Sequence, residues 1–384
     1  MYDYIVFVHL FSDSTGGVQL ASKDLCDYIT RKDLSVVVVH SGSKDQFYHD
    51  KGVDCLSFNT FKIFYGFYPF VGLKMFIASL RLIRQNNHAK IIIYGRHFTE
   101  SIMAAALCKL LGREYIYIDT GFKTEVFNNV ILNLILKILD QTILKLVFIF
   151  STYKIFESHT SRQYVENKYN KQFSKTSVIY NGFDDNITKE YEITPKERKI
   201  VFASRLVNIK NPDLVVDAYL CLANQYPDWQ FLMVGKGNCK LENIDLKTLP
   251  RNITYNNNLL PQEELHQLLA KSYIYINSSF SEGLPLALTE AGALGCLLVM
   301  SNIGNNLEIA SALGLIKYTF NPNSLSEFIE KLQLAMSMYG HVNHKQIQLN
   351  SIRTFANSKR HQKYAKLFGV EFGIPMGVAY FPLI

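Results

Sequence analysis

Cysteines are few in this chain, and their spacing does not suit cross-links or metal binding. The six cysteines among 384 residues are scattered, with no Cys-x-x-Cys pair and no paired histidines beside them. Neither a disulfide framework nor a zinc site is therefore expected. A free cysteine in an apolar stretch behaves as a small hydrophobic side chain, so this usage predicts a reducing, cytoplasmic compartment.

Neither a secretory leader nor a membrane span is expected from the apolar segments of the sequence. The first eleven residues have no basic segment and no small-residue cleavage site, which predicts a buried strand rather than a signal peptide. The most apolar stretch, residues 126–150, is interrupted by polar residues that include Asn133, Lys137 and Asp140. A membrane span is therefore not expected there.

No dense basic run appears in the first or the second half of the chain. Residues 1–190 hold 22 Lys and Arg against 18 Asp and Glu, and the remainder holds 18 against 15. Nucleic-acid binding normally requires a concentrated cationic face, so we do not expect a nucleic-acid partner. The net charge of +7 fits anionic small molecules or an anionic membrane surface, and it fits a simple contribution to solubility equally well.

Short β-branched and aromatic runs alternate with helical patterns through most of the chain. This order predicts parallel sheets with crossover helices, and 384 residues suit two such α/β domains. A polar, charged segment at residues 184–198 is typical of a linker. We predict an N-terminal doubly wound, Rossmann-like domain at 1–188, a second at 189–350, and a C-terminal helix and tail at 351–384.

The predicted strands place candidate ligand-binding residues at their carboxyl ends, where open α/β sheets bind ligands. The predicted strands are Tyr4–Leu10, Leu34–His40, Lys90–Tyr94, Glu114–Ile118, Val147–Ser151, Ser177–Tyr180, Lys199–Ala203, Gln230–Val234, Ile253–Tyr255, Tyr273–Asn277 and Leu297–Ser301. The predicted helices are Gly17–Thr30, Phe70–Gln85, Glu100–Leu111, Asn133–Leu146, Asn211–Gln225, Gln262–Ala270 and Leu286–Leu294.

Two cations follow the first strand of the second predicted domain. Arg205 comes just after the strand, and Lys210 follows in a short loop before a helix that begins near Pro212. A guanidinium fork and an ammonium at one strand end suit a diphosphate, although each alone is equally typical of a solvated loop. The next strand runs into Gly235, which either lets the backbone approach a ligand or forms a plain turn.

A third strand end carries two carboxylates and a helix start. Residues 282–285 read Glu-Gly-Leu-Pro, and Pro285 is well placed to begin a helix. The free amides of such a helix start form an anion site. Glu282 lies in the loop and Glu290 lies inside the helix, where sugar hydroxyls need acceptors. Two exposed glutamates stabilised by the helix dipole are the simpler interpretation of either residue alone.

This set of motifs resembles family 4 of the retaining glycosyltransferases, which have the GT-B fold. Glu282-Gly283 and Glu290-Ala291 match the family's pair of glutamates seven residues apart, and Arg205 and Lys210 match its cationic pair. The sequence Asn181-Gly182-Phe183-Asp184 and the glycine loop at residues 301–309 are similar to two further family motifs, and Gly16-Gly17 is similar to its N-terminal phosphate loop. The matches occur in order over residues 5–310.

The resemblance implies roles for these residues in binding a nucleotide-diphosphate sugar. Arg205 and Lys210 would neutralise the diphosphate, with the amides of Gly283 and Leu284 nearby and Pro285 beginning the helix. Glu282 would touch the transferred sugar, Glu290 the ribose, and Gly16 and Gly17 would close over the phosphates; Gly235 is a further donor-side candidate. The implied catalytic set is Glu282, Arg205 and Lys210. Since two cations form the clamp, no metal or other cofactor is expected.

The acceptor side departs from the family pattern. Many members carry a histidine before a glycine, where this chain has Thr120 before Gly121. Asp119 or His97 are the other residues that could face the acceptor. The missing histidine gives some weight to a catalytically inactive subunit that binds nucleotide sugar, and a nucleotide-sugar epimerase or hydrolase of the same fold is a second alternative.

The function that these features favour is hexosyl transfer from a UDP- or GDP-sugar to a saccharide or lipid-linked saccharide. The resemblance suggests bacterial surface polysaccharide or lipopolysaccharide synthesis. Apolar stretches at residues 61–76 and 126–150 fit either core packing or peripheral contact with the cytoplasmic face of a membrane. The apolar terminal segment, residues 369–384, is predicted to dock on the first domain.

Overall fold

The computed structural model describes residues 1–11, 17–63, 68–95, 98–120, 134, 137–138, 141–191, 195–243 and 248–369. Among these residues the chain forms two separate, mainly parallel sheets and one small hairpin. The acceptor-side candidate His97, the donor-side candidate Gly16 and the terminal segment 370–384 lie outside the described residues.

The first sheet is eight-stranded, in the order β10-β9-β8-β7-β1-β2-β4-β3. The strands of this half, with the hairpin strands β5 and β6, are β1 Tyr4–Val8, β2 Val36–Gly42, β3 Gln46–Asp50, β4 Val53–Asn59, β5 Phe61–Ile63, β6 Tyr68–Phe70, β7 Lys90–Tyr94, β8 Tyr115–Asp119, β9 Tyr153–Phe156 and β10 Thr176–Val178. The described helices of this half are α1 Gly17–Thr30, α2 Leu73–Gln85, α3 Thr99–Leu110, α4 Ile143–Phe150 and α5 His159–Lys168.

Helices cover both faces of this sheet, so its central strands are apolar on both sides. All five residues of β1 are buried. Ile5 and Phe7 belong to a core under α2, α3 and α4. Tyr4 and Val6 point the other way, into a core shared with α1 and a C-terminal helix. The alternation follows from the two-residue period of a strand.

The second sheet is six-stranded and parallel, in the order β13-β12-β11-β14-β15-β16. Its strands are β11 Glu197–Ala203, β12 Gln230–Val234, β13 Ile253–Asn256, β14 Ser272–Asn277, β15 Leu297–Ser301 and β16 Thr319–Phe320. The described helices of this half are α6 Ile187–Glu190, α7 Pro212–Leu222, α8 Gln262–Lys271, α9 Leu286–Ala293, α10 Gly304–Leu313, α11 Leu325–Ser337, α12 His344–Phe355 and α13 Asn357–Phe368.

The strand order of the second sheet reverses direction between β11 and β14. Strands β12 and β13 extend to one side of β11, and β15 and β16 extend beyond β14 on the other. Loops that leave the carboxyl ends of β11 and β14 therefore diverge and leave a crevice, which is where such sheets bind ligands. Arg205 and Lys210 follow β11, and Glu282 follows β14.

The strand predicted at Val147–Ser151 is wrong. Residues 143–150 form α4, and the strand begins at Tyr153. The run is apolar at almost every position, so its hydrophobicity has no period that distinguishes strand from helix. Val147 and Phe148 are buried while Leu146, Ile149 and Phe150 are exposed, which is a helical pattern.

The prediction of purely parallel pairing also needs correction in the first sheet. Strand β3 pairs antiparallel with β4. The turn between them carries positive φ at both Lys51 (49°) and Gly52 (86°), which matches the two-residue hairpin turns that follow the natural strand twist. Strand β3 covers the outer edge of β4, and this edge role explains its polar sequence.

The described part of the segment 184–198, predicted as a linker, runs between the two sheets and also contributes to the second core. Phe183 and Ile187 are buried in the core of the second sheet, α6 forms within the segment, and β11 begins at Glu197. The charged residues that suggested a linker lie largely on the exposed side of these elements.

Helix α13 returns to the first domain after a break at Ala356. Arg360 donates a hydrogen bond to the carbonyl of Ala21 in α1 and lies 3.1 Å from the Asp24 carboxylate. At the other end of the helix, the ring of Phe368 packs against Tyr4, with centroids 5.9 Å apart. The chain thus passes between the domains twice, at residues 179–187 and at 355–357.

The described helices include none that combines the length and the apolar character needed to cross a bilayer.

Candidate active site

Lys210 and Glu282 meet at the crevice of the second sheet, although 72 residues separate them along the chain. Lys210 Nζ donates to Glu282 Oε1 at 2.6 Å. The two side chains are only 19% and 9% exposed. Because β11 and β14 are neighbours in the sheet, their following loops deliver the two charges to one place.

Glu282 is held by further donors from its own loop. Ser279 Oγ donates to Glu282 Oε1 at 2.6 Å, and Asn277 Nδ2 lies 3.3 Å from the same oxygen. Its second carboxylate oxygen receives no hydrogen bond from the described residues. A carboxylate fixed in this way presents an acceptor to a ligand hydroxyl without reorganisation.

Arg205 lies on the same edge but is exposed, and no described residue forms an ion pair with it. Its loop is braced against the turn after β12, where Gly235 and Gly237 have positive φ of 150° and 136°. A Cβ at Gly235 would lie 1.7 Å from the carbonyl oxygen of Ser204, and one at Gly237 would lie 2.3 Å from that of Leu206. Gly235, predicted as a donor-side residue, therefore has a structural reason to be glycine: it lets the Arg205 loop pack backbone to backbone.

Glu290 lies in α9 and faces a separate part of the cleft from Lys210 and Glu282. It lines a cavity of about 500 Å³, together with Leu286 of the same helix, Gln262 of α8 and residues of α1 and α13. His266 Nε2 is 3.7 Å from Glu290 Oε2, beyond hydrogen-bonding distance, and has no hydrogen-bond partner among the described residues.

Glu157 is a cleft residue that the sequence analysis missed. It follows β9 in the first domain and is buried against the loop of Glu282 in the second. The backbone N–H of Leu284 donates to Glu157 Oε1 at 3.1 Å, and Asn181 Nδ2 donates to Glu157 Oε2 at 2.7 Å. An added Cβ at Gly283 would lie 2.6 Å from Glu157 Oε1, so Gly283 is what allows this close approach.

The pKa of Glu157 is raised to about 8. Loss of solvent on burial is the largest cause, and the nearby Asp119 carboxylate adds to it, while the Leu284 amide opposes it. The local sequence does not identify Glu157 as a site residue, since a single glutamate after a strand has no distinctive spacing. Its role depends on the contact between the two domains.

Several other contacts join the domains beside Glu157. Ser158 Oγ donates to Asn305 Oδ1 at 2.7 Å, and Asn305 Nδ2 donates to the backbone carbonyl of Glu282 at 2.8 Å. Glu308 accepts from the backbone N–H groups of His159 and Thr160 at the start of α5. The first domain is therefore closed onto the loops that carry the donor-side residues.

The acceptor-side candidates Asp119 and Thr120 lie at this contact between the domains. Asp119 ends β8 and is buried, and Tyr117 Oη donates to its Oδ1 at 3.3 Å. The carbonyl oxygen of Thr120 is 3.5 Å from the point where a Cβ of Gly283 would stand. Gly17 begins α1, and Pro285 immediately precedes α9 instead of lying in its first turn.

Among the described residues no group of three or more His, Cys, Asp or Glu side chains is arranged to hold a metal ion. The adjacent acidic residues Asp184 and Asp185 have other partners. Asp184 Oδ1 accepts from the backbone N–H of Asn186 at 3.0 Å, and Asp185 accepts from the backbone N–H of Ser358 at 2.8 Å. Both belong to the passages between the domains.

Residues 183–350 match the protein family described as Glycosyl transferases group 1. A phosphatidylinositol N-acetylglucosaminyltransferase component from Arabidopsis thaliana is 26% identical over 45% of this chain and 40% of its own length, so the chain spans less than half of that relative. A capsular polysaccharide biosynthesis glycosyltransferase, CapH, of Staphylococcus aureus is 24% identical over 79% of this chain and 83% of its own length.

The fold is also that of solved glycosyltransferase structures. Anabaena Alr3699/HepE, crystallised in complex with UDP, aligns with a TM-score of 0.70 and 15% identity, covering 96% of this chain and 100% of that chain. At this identity the likeness concerns the fold alone. The family match therefore identifies residues 183–350 as a group 1 glycosyltransferase domain, and the two facing α/β domains have the GT-B fold of the solved structures.

Proposed function

We propose that this protein is a family 4, retaining glycosyltransferase that moves a hexosyl group from a UDP- or GDP-sugar to a saccharide or lipid-linked saccharide. The observation that carries the proposal is the Lys210–Glu282 pair at the β11/β14 crevice, beside the Arg205 loop. These groups supply positive charge for a diphosphate and an acceptor for a sugar hydroxyl at one edge of one sheet.

In this proposal the main aid to reaction is electrostatic. The leaving group is a nucleotide diphosphate, whose negative charge grows as the bond to the sugar breaks. Arg205 and Lys210 neutralise that charge, and the start of α9 adds its free amides. Because two fixed cations carry this role, the proposed reaction needs no metal ion. Glu290, beside the 500 Å³ cavity, accepts from the ribose hydroxyls.

The proposed transfer keeps the configuration of the sugar by attack on the same face as the departing phosphate. The acceptor oxygen forms a bond to the anomeric carbon, the bond from that carbon to the phosphate oxygen breaks, and the acceptor proton passes to the phosphate oxygen. No protein base is required for this step, which accommodates Thr120 at the position where many family 4 members carry a histidine. Asp119 and Thr120 line the acceptor side of the closed cleft, and His97 is a further candidate there.

The proposed acceptor is held near the cytoplasmic face of a membrane. Exposed apolar side chains lie on α2, at Leu73, Phe76 and Ile77, and on α4, at Ile149 and Phe150. Both helices cover the same face of the first sheet, and an apolar patch on one face suits shallow insertion among lipid headgroups. The name of the Arabidopsis relative includes phosphatidylinositol, which supports an acceptor that carries a lipid. The name of CapH includes capsular polysaccharide biosynthesis, which supports a surface-polysaccharide acceptor.

Arg205→Ala tests the proposed clamp. Loss of one charged partner of the diphosphate should weaken UDP or GDP binding by about 2 kcal/mol, close to 30-fold. Calorimetric titration with each nucleotide measures this change. Lys240→Ala is the matched control, because Lys240 is an exposed cation of the same domain that pairs with Asp217. Equal nucleotide affinity in the wild type and Arg205→Ala would refute the assignment of this clamp.

A screen of nucleotide sugars with and without added saccharide acceptors tests the reaction itself. We expect release of nucleoside diphosphate to depend on an acceptor. Consumption of donor without any acceptor would favour an epimerase or hydrolase, and tight nucleotide binding without turnover of any donor would favour an inactive binding subunit.

A further inference from the structure

The net positive charge of the chain comes from one C-terminal stretch. Residues 331–369 contain seven Lys and Arg residues and no Asp or Glu, whereas the whole chain has 40 of the former and 33 of the latter. Outside this stretch the two signs therefore balance at 33 each. Because the two halves of the chain have similar excesses of Lys and Arg over Asp and Glu, counting by halves does not reveal this local concentration of positive charge.

Three of these seven cations are paired with a side chain. Lys331 and Arg360 form ion pairs with carboxylates, and Lys345 donates to an amide oxygen. The remaining four form no ion pair with any described residue, although Lys363 Nζ donates to the backbone carbonyl of Val178 at 3.2 Å. These four are Arg353, Lys359, Lys363 and Lys366.

All four of the remaining cations line one groove of about 390 Å³, which we call the basic groove. Its other lining residues are Tyr180, Thr354 and Gln362, so the described lining contains no carboxylate. Lys359, Lys363 and Lys366 are spaced four and three residues apart on α13 and therefore share one helix face. Like charges at this spacing repel each other, so the arrangement disfavours the empty groove and favours an anion in it.

We propose that the basic groove binds a phosphate-bearing small anion at a site separate from the donor cleft. Arg353 offers a guanidinium fork, and the three lysines offer point charges. Gln362 adds a neutral amide donor, and the Tyr180 ring forms an apolar wall over which Lys363 Nζ lies 5.1 Å from the ring centroid. This proposal does not depend on the glycosyl transfer proposed above, since none of the groove residues lies at the β11/β14 crevice.

The position of α13 favours an anion in solution over a lipid headgroup. Tyr364 and Phe368 of α13 pack on the face of the first sheet opposite to that covered by α2 and α4. A membrane that contacts the exposed apolar residues of α2 and α4 would therefore lie on the other side of the domain from the basic groove. The phosphate chemistry is the same for both sources, and they can be distinguished experimentally.

The test is a calorimetric titration of the full chain with inorganic tripolyphosphate. We expect the triple variant Lys359→Gln, Lys363→Gln, Lys366→Gln to bind at least about tenfold more weakly than the wild type, because three charges are lost from the site. Lys331→Gln removes a cation of the same stretch outside the groove and should stay within about twofold of wild type. Excess UDP or GDP is present in each titration, so that the proposed diphosphate clamp at Arg205 is occupied and tripolyphosphate binding reports the groove.

A wild-type chain that binds neither tripolyphosphate nor anionic vesicles, or a triple variant that binds both as wild type does, overturns the proposal. If the triple variant does not fold, the single variant Arg353→Gln at an exposed position serves instead, with a several-fold loss expected. Flotation with phosphatidylglycerol vesicles identifies the source. Tripolyphosphate binding without vesicle binding supports a soluble ligand, and vesicle binding that the triple variant loses supports a lipid headgroup.

Discussion

The pKa and the hydrogen bonding of Glu157 depend on contacts with the opposite domain. In sequence it is an ordinary glutamate after a strand. In the structure the second domain covers it, excludes solvent from its carboxyl group and contributes the Leu284 N–H as a hydrogen-bond donor. Its raised pKa, about 8, is largely the cost of burying a carboxylate. The protonated form is therefore favoured in the folded protein near neutral pH.

The raised pKa predicts a particular pH dependence of stability. Between the ordinary value of 4.5 and about 8, the unfolded chain loses the Glu157 proton while the folded chain retains it. The contribution of Glu157 is therefore complete below pH 4.5 and declines as the pH rises, by up to about 1.4 kcal/mol per unit, until pH 8. Glu157→Gln should remove this decline, measured as the difference in urea unfolding free energy between the two proteins from pH 5 to 9.

Glu330→Gln is the control for this measurement, because Glu330 is exposed and pairs with a surface lysine. Its stability should follow the wild-type pH curve. If the curves of Glu157→Gln and wild type ran parallel over the whole range, the buried carboxyl would not be retaining a proton.

At the level of elements, the donor edge depends on two turns that pack backbone to backbone. The turn after β12 supports the loop after β11 through Gly235 and Gly237, and an isolated bridge joins Leu206 to Gly237. Neither glycine is recognisable from sequence as a structural requirement, since a glycine after a strand equally suits a plain turn. Their positive φ and the short distances from an added Cβ to neighbouring carbonyls show that both positions require glycine.

Gly235→Ala should therefore destabilise the protein by about 3 kcal/mol, from unfavourable φ and a clash with the Ser204 carbonyl. It should also weaken nucleotide binding, because the Arg205 loop must move. Gly340→Ala is a matched control, since Gly340 also has positive φ (83°) but has nothing within 4 Å of the added Cβ. We expect the control to lower the unfolding free energy by about 1 kcal/mol. Thermal and urea unfolding measure both, and equal losses would argue against backbone packing as the reason for Gly235.

At the level of the whole molecule, α13 ties the C-terminal segment to the first domain. Arg360 is buried there, with the Ala21 carbonyl and the Asp24 carboxylate as partners, and His361 also contacts Asp24 at 2.8 Å. A buried ion pair between distant parts of a chain contributes little when complete, but removal of one partner leaves a charge without compensation.

Arg360→Ala should lower the unfolding free energy by about 3 kcal/mol, because Asp24 then loses its guanidinium partner. Lys366→Ala, which removes an exposed cation of the same helix, should change it by less than about 0.5 kcal/mol. Urea unfolding followed by fluorescence measures both. Similar small losses in the two variants would mean that the Arg360 contact does not hold α13 to the first domain.

The two α/β halves, the positions of most strands and the residues at the β11/β14 crevice were predictable from sequence. These features depend on local signals: β-branched runs, helix starts and charged residues just after strands, each confined to a short window of the chain. The apolar run of α4 was misassigned because its uniform hydrophobicity carries no periodicity. The exposed charges of residues 184–198 also gave no sign that Ile187 is buried in the second core.

The contact of Glu157 with Leu284, the need for Gly235 beside Ser204 and the basic groove became visible only in three dimensions. Each joins residues from chain segments that are far apart, by burial or by backbone approach, and burial and approach are properties of neighbours in space. A residue's type and spacing specify which groups it can offer. Tertiary packing decides which of those groups lose water, acquire a partner or remain without one.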